Sequence, residues 1–235
     1  MNTKRITYSL IPFLVVVTML LITYFGNQWY SETNNVIGSD LSWIFLPFNE
    51  WVPFLSFTIY PYILAYPFWF LTFFYVGYRS KKNMYTLLLL VLITFTICGL
   101  SYFFFQTDVQ AWRETSGLFT QTDLSFSESI VFLIYNSAGP RNANPSMHCL
   151  MSWLCILGAR MDKKMPTPIK IIIWTLGISI CISTQTLKQH YIIDLITGIG
   201  IAEIFYWIVK DSKAVLSLQK FFTKINQKLK LEWND

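Results

Sequence analysis

Charge is scarce in this sequence. Of its 235 residues only 13% are Asp, Glu, Lys or Arg, about half the share in an average soluble domain, while 54% are hydrophobic and 18% aromatic. Too little polar surface remains to cover a water-facing core, so a soluble globular fold is excluded and a membrane protein is expected. Ten glycines and nine prolines are too few for a collagen-like or low-complexity chain. No period of about 20–50 residues marks a repeat architecture. The four cysteines, Cys98, Cys149, Cys155 and Cys181, lie in apolar stretches with no CxxC spacing, so free buried thiols are expected rather than a disulfide or metal role. No metal-ligand cluster, nucleotide loop or haem motif is found, and neither metal nor cofactor is expected.

What is present is a series of apolar runs near the ~20 residues needed to cross hydrocarbon, at 6–25, 54–78, 84–105, 169–187 and 191–209. A sixth candidate, 147–159, is shorter and covers only about 20 Å as a helix, so it either starts deeper than the lipid surface or is shielded at its outer end by neighbouring protein. The first run follows Lys4 and Arg5 but lacks a small-residue cleavage pattern, so it reads as a retained helix. The segment WIFLPFNEWVPF before the second run has the Trp, Phe and Pro of an interfacial belt. The fold class is therefore all-α: a six-transmembrane helix bundle with interfacial helices, one membrane-embedded domain over 1–210.

A net charge of +5 would suit a nucleic-acid partner, but the cations are not distributed for one. In a six-span arrangement fifteen of the 18 Lys and Arg fall on one side, which the positive-inside rule makes the cytoplasm, with both termini there. Arg113, Arg141 and Lys188 alone remain outside, in loops otherwise carrying acids. The tail, 211–235, alternates Lys with apolar residues and reads as a basic amphipathic helix on the anionic inner leaflet.

Only two histidines occur, His148 and His190, each at the outer end of a run. His190 and Asp194 are four apart, which on a helix puts them one turn apart on one face. A carboxylate there can fix the imidazole tautomer and make its other nitrogen a nucleophile or base. An acid in an apolar span also needs a partner, since it otherwise costs about 2.5–3.5 kcal/mol. At Pro145-Ser146-Met147-His148, Ser146 is a good N-cap for a helix beginning near Met147. The amides and dipole of that helix end, with Arg141 and His148, suit an anionic group, most simply phosphate. Glu203 lies nine residues past Asp194, on the opposite helical face, and is expected to pair within the bundle or reach the inner surface.

These residues resemble the type-2 phosphatidic acid phosphatase superfamily, whose motifs are K-x6-R-P, P-S-G-H and S-R-x5-H-x3-D on the outer side of a six-helix bundle. Pro145 to His148 matches the second with Met for Gly, as in the inositol-phosphotransferase-like branch. Ser183, His190 and Asp194 match the third at the right spacing, with Thr184 in place of its Arg. The first motif survives only as Arg113, seven residues after Gln106. The similarity extends over about 40–210, including an asparagine-containing lead, YNSAGPRNANPSMH.

The resemblance implies a metal-independent phosphatase acting on a lipid phosphate or diphosphate at the outer face of the cell membrane. By match, His190 is the nucleophile that forms a phosphohistidine, Asp194 its orienter and His148 the general acid. Arg113, Ser146 and Ser183 then bind phosphate oxygens, with the amides around Ser146 as an oxyanion-type donor set. Lys188 and Arg141 are the cations placed to replace the missing motif Lys and Arg. Two alternatives stand beside this reading: a phosphotransferase that passes the phosphoryl group to an alcohol acceptor, and a non-enzymatic lipid-binding membrane protein. The identity of the lipid and the oligomeric state are not legible.

Overall fold

Apolar runs without charge can satisfy their backbone groups in lipid only as helices or closed barrels. The computed structural model, which describes residues 3–231, is accordingly almost entirely helical. In chain order the longer helices are α1 (Leu10–Thr33), α2 (Ser56–Arg79), α3 (Lys81–Phe104), α4 (Phe126–Ser137), α5 (Met147–Met161), α6 (Thr167–Thr186), α7 (Ile192–Val209) and α8 (Lys213–Lys228). Of these, α1, α2, α3, α6 and α7 are long and apolar enough to cross a membrane.

The sixth expected span, α5, has 15 residues, about 22 Å at 1.5 Å per residue. It lies at the centre of the bundle. Twelve of its residues are buried, and it packs against α2, α3, α6 and α7. Close approach on two sides depends on glycine. A Cβ at Gly177 of α6 would meet Ile156 Cδ1 at 2.9 Å, and one at Gly198 of α7 would meet the Ser146 carbonyl oxygen at 2.7 Å.

The first span differs from its expected end at residue 25. Helix α1 passes through a π-helical turn, Leu21–Gly26, and continues to Thr33. Asn27 holds that passage by donating to the carbonyls of Thr23 at 2.8 Å and Gly99 at 3.1 Å. The extension carries Gln28, Trp29 and Glu32 to the end of the bundle where the histidines lie.

At the opposite end, Arg79 pairs with Asp162 and donates to the Lys164 carbonyl at 2.7 Å. Arg160 grips both carboxylate oxygens of Glu203 at 2.7 and 2.9 Å, and Trp153 donates to the same group at 2.8 Å. Glu203 thus pairs within the bundle and takes no part in the histidine end. The four cysteines are buried and unpaired.

The tail forms α8, and its apolar face is partly turned onto the bundle rather than wholly toward lipid. Val215, Phe222 and Asn226 are buried. Phe222 stacks on Tyr85, Thr223 shares a 2.8 Å hydrogen bond with the Tyr8 hydroxyl, and Asn226 donates to the Tyr8 carbonyl at 3.2 Å. Leu216, Phe221 and Leu229 stay exposed. The side chain of Lys4 and residues 232–235 of the tail lie outside the described part.

Loops tie the histidine end together. The two-residue strands Ser39–Asp40 and Thr107–Asp108 pair in parallel, and Arg141 bridges to Asp108. The aromatic segment before α2 forms a short helix, Leu46–Trp51, that leaves Trp43, Phe48 and Trp51 exposed. Its one buried residue, Asn49, donates to the Ser42 and Ile44 carbonyls at 2.9 Å and accepts the Ile192 N–H at 3.1 Å. This anchors the segment to the start of α7.

Candidate active site

Two helix starts converge here. Ser146 is the N-cap of α5, its hydroxyl accepting the Cys149 N–H at 3.3 Å, and it sets His148 in the first turn. Tyr191 is the N-cap of α7, so His190 stands just before that helix and not on it. The link between His190 and Asp194 is therefore made by capping, not by a shared helical face. Asp194 turns back at the third helical position to accept the Tyr191 N–H at 2.8 Å through Oδ2 and the Asn144 amide at 2.9 Å through Oδ1. Its Oδ2 lies 3.5 Å from His190 Nδ1.

The shorter contact of that nitrogen is to the Ala143 carbonyl, at 2.9 Å. Nδ1 is the donor there, which leaves Nε2 with its lone pair unengaged. The turn preceding His190 is closed by the Thr184 carbonyl, which accepts the N–H groups of Gln189 and His190 at 2.9 and 3.1 Å.

His148 is held by packing. Tyr62 stacks on it with ring centroids 4.4 Å apart and planes at 18°, and Trp69 and Tyr66 meet it edge-on at 5.3 and 6.1 Å. Neither imidazole nitrogen has a hydrogen-bond partner among the described residues. The centroids of the two histidine rings are 6.2 Å apart.

The remaining sequence candidates divide. Arg113 is buried and reaches the site indirectly: its terminal nitrogens donate to the carbonyls of Tyr135, Ala138 and Gly139 and to Gln189 Oε1, the residue before His190. Burial holds its guanidinium below the usual Arg range. The Ser146 N–H is already donated to the Asp194 carbonyl at 3.0 Å, so it is not available to an oxyanion as anticipated. Ser183 donates its hydroxyl to the Ile180 carbonyl at 2.7 Å within α6. Thr184, at the position of the motif Arg, likewise donates to Cys181 at 2.8 Å.

Lys188 and Arg141 point their charges elsewhere. The Lys188 ammonium donates to the Val52 carbonyl and lies 3.6 Å from the centroid of the Trp112 ring. Burial lowers its pKa to about 8. Arg141 donates to the Ser31 carbonyl at 3.0 Å, at the end of α1.

Three participants were not singled out from the sequence. Gln189 joins Arg113 to the histidine turn, and its Nε2 is buried without a partner. Asn144 binds Asp194 and Thr197 and is held in turn by Thr107. Tyr62 carries His148. A polar residue directly before the nucleophile candidate was a signal for Gln189. Tyr62 offered none, being one of 13 tyrosines.

The arrangement brings an imidazole with a free Nε2 beside a second imidazole, at the N-termini of two helices whose positive ends attract anions. Among the described residues no group of three or more His, Cys, Asp or Glu is placed to hold a metal ion. No curated protein and no solved structure matches the chain. The sequence pattern described as PAP2 superfamily does match, over residues 28–208, a span that contains both histidines and every site residue named above. The chain belongs to the PAP2 superfamily, and its phosphatase-type phosphoesterase character follows from that membership.

Proposed function

We propose that this protein is a membrane lipid phosphatase that cleaves a lipid phosphate or diphosphate ester at the outer face of the cell membrane, with both termini cytoplasmic and α5 as a sixth, protein-shielded span. The observation that carries the reading is the pairing of His190, tied through Nδ1 to Ala143, with His148 at a centroid separation of 6.2 Å. A phosphoryl group between two such rings meets a nucleophile on one side and a proton donor on the other.

In this mechanism His190 Nε2 attacks phosphorus. The P–N bond forms, the P–O bond to the lipid alcohol breaks, and the leaving oxygen takes a proton from His148. Water then attacks the phosphohistidine, its proton returns to His148, and phosphate departs as the P–N bond breaks. Asp194 steadies His190 and the N-terminus of α7. Arg113 supports the phosphate region through Gln189, whose unpartnered Nε2 is a neutral donor to a phosphate oxygen. Ser146 and Ser183 shape the helix ends around it, and Lys188 and Arg141 supply positive potential from the loops.

One observation favours the second reading, transfer of the phosphoryl group to an alcohol. Arg113, Lys188 and Arg141 all spend their charge on main-chain carbonyls, an arrangement better matched to a phosphodiester monoanion than to a phosphate dianion.

The test is inorganic phosphate release by purified protein from a panel of lipid phosphates and diphosphates, with EDTA present, beside His148→Gln. Release by the wild type is expected, reduced by about 10²–10⁴ in the variant. Esters of strongly acidic alcohols, which need no proton on leaving, should recover much of that loss. Turnover that depends equally on His148 for every leaving group would remove it from the acid role. Product appearing only when an alcohol acceptor is added would establish the transferase.

A further inference from the structure

The Ala143 carbonyl that accepts from His190 belongs to a peptide held on both edges. The Ala143–Asn144 peptide is trans, so its C=O and N–H point in opposite directions. The Asn144 N–H donates to Thr107 Oγ1 at 2.8 Å, and the carbonyl on the other edge meets His190 Nδ1 at 2.9 Å. No substitution removes that carbonyl, but the Thr107 hydroxyl decides which way it faces.

The residue before Thr107 fixes the chain on the other side of Ala143. Gln106 Oε1 accepts the Asn142 N–H at 2.8 Å, and its Nε2 donates to Asn142 Oδ1 at 2.8 Å. This double contact holds Asn142 at φ +58°, in the left-handed region that asparagine tolerates better than most residues. The Asn142 amide in turn donates to the Tyr24 carbonyl at 3.0 Å, in the π-helical turn of α1. Gln106, Thr107, Asn142 and Ala143 are all buried, so a lost partner here leaves a polar group unsatisfied. Two adjacent residues of the loop after α3 thus clamp Ala143 from both sides as the chain enters α5.

The peptide plane they fix is the one that sets the nucleophile. A carbonyl can only accept, so its contact requires the imidazole proton on Nδ1 and leaves the lone pair on Nε2. If the carbonyl turns away, that requirement is lifted, and the Asp194 carboxylate at 3.5 Å is the only acceptor left near Nδ1 among the described residues. With the proton on Nε2 the ring has no lone pair there for attack.

We propose that Gln106 and Thr107 are positioning residues for the nucleophile: they aim the Ala143 carbonyl at His190 Nδ1 and so keep the lone pair on Nε2. The assignment rests on the reading of His190 as the nucleophile.

The experiment reads the tautomer directly, by 15N NMR of the full chain in detergent with labelled imidazoles. The sequence has two histidines, so His148→Gln assigns the spectrum. At about pH 8, above the ordinary imidazole pKa, wild-type His190 should carry its proton on Nδ1. Thr107→Val keeps the shape of the side chain and removes the acceptor. Its Nδ1–H share should fall in favour of Nε2–H, and kcat for a lipid phosphate should drop about tenfold with KM little changed. Thr107→Ser keeps the hydroxyl and should restore both readouts. Gln106→Met should move them in the same direction as Thr107→Val, and decides the matter if thermal unfolding shows that Thr107→Val is not folded.

A variant that melts earlier yet keeps the wild-type tautomer and kcat would mean that the two residues only close the loop, and overturns the proposal. So does a wild-type His190 protonated on Nε2, or a Thr107→Ser protein as impaired as Thr107→Val. If the wild type turns over no lipid phosphate, the phosphoesterase reading is what has failed, and the tautomer alone decides: a shift in Thr107→Val or Gln106→Met upholds the positioning role, and an unchanged spectrum overturns it.

Discussion

His190 Nδ1 lies 2.9 Å from the Ala143 carbonyl oxygen, nearer than its 3.5 Å distance to Asp194 Oδ2. A main-chain acceptor thus sets the tautomer, and the carboxylate adds charge behind it while holding Tyr191 and Asn144. The ring orientation is built into the loop before α5, at a position no side-chain substitution can remove.

His190→Ala and Asp194→Asn should therefore differ widely. Losing the nucleophile should abolish turnover. Asp194→Asn keeps Ala143 in place and should reduce kcat by about 10²-fold, within the range for a supporting acid–base group. It should also lower thermal stability, because one amide cannot accept from both Tyr191 and Asn144. Phosphate release at the wild-type rate by His190→Ala would end the covalent mechanism.

Gln189 should behave as a phosphate-contacting donor. Its Nε2 is buried and unpartnered while its Oε1 takes the Arg113 guanidinium. Gln189→Glu keeps the acceptor for Arg113 but puts a negative charge beside the proposed phosphate position, and should cost more activity than Gln189→Leu. If steady-state kinetics rank the two variants the other way, Gln189 serves only to hold Arg113.

Lys188 gives a pH dependence of stability. Burial lowers its pKa to about 8 in the folded chain, against about 10.4 when solvated. The folded state is thus penalised for carrying this charge. The penalty is full below pH 8 and fades as pH rises toward the unfolded value. The Tm of the wild type minus that of Lys188→Met should increase between pH 8 and pH 10. A difference that shrinks over this interval would mean that Val52 and Trp112 hold the ammonium charged more firmly than burial discharges it.

Topology can be read with single cysteines, since the four native thiols are buried. Thr122 and Lys163 are both exposed and lie in loops at opposite ends of the bundle. In intact cells an impermeant maleimide should label Thr122→Cys and leave Lys163→Cys unlabelled until the membrane is opened. The reverse pattern would turn the site toward the cytoplasm.

Much of this was legible in residue order alone. Uncharged runs of about 20 residues have one way to cross lipid, so five spanning helices follow from composition and spacing. The pairing of His190 with Asp194, and the start of α5 at Ser146, are local: a few residues and a helix cap decide them. Only the mode of the first was misjudged, because a side chain four residues away can be reached by capping as well as along a helical face.

What the sequence determined is the set of apolar segments, the local motifs and the separation of charge between two ends. Tertiary structure decided the rest. It placed α5 at the centre, with its sides covered by other helices. It committed Arg113, Lys188 and Arg141 to backbone carbonyls, and brought Tyr62 onto His148 and Gln189 onto Arg113. These contacts join residues far apart in the chain and depend on how helices pack, and no periodicity in a single segment carries that information.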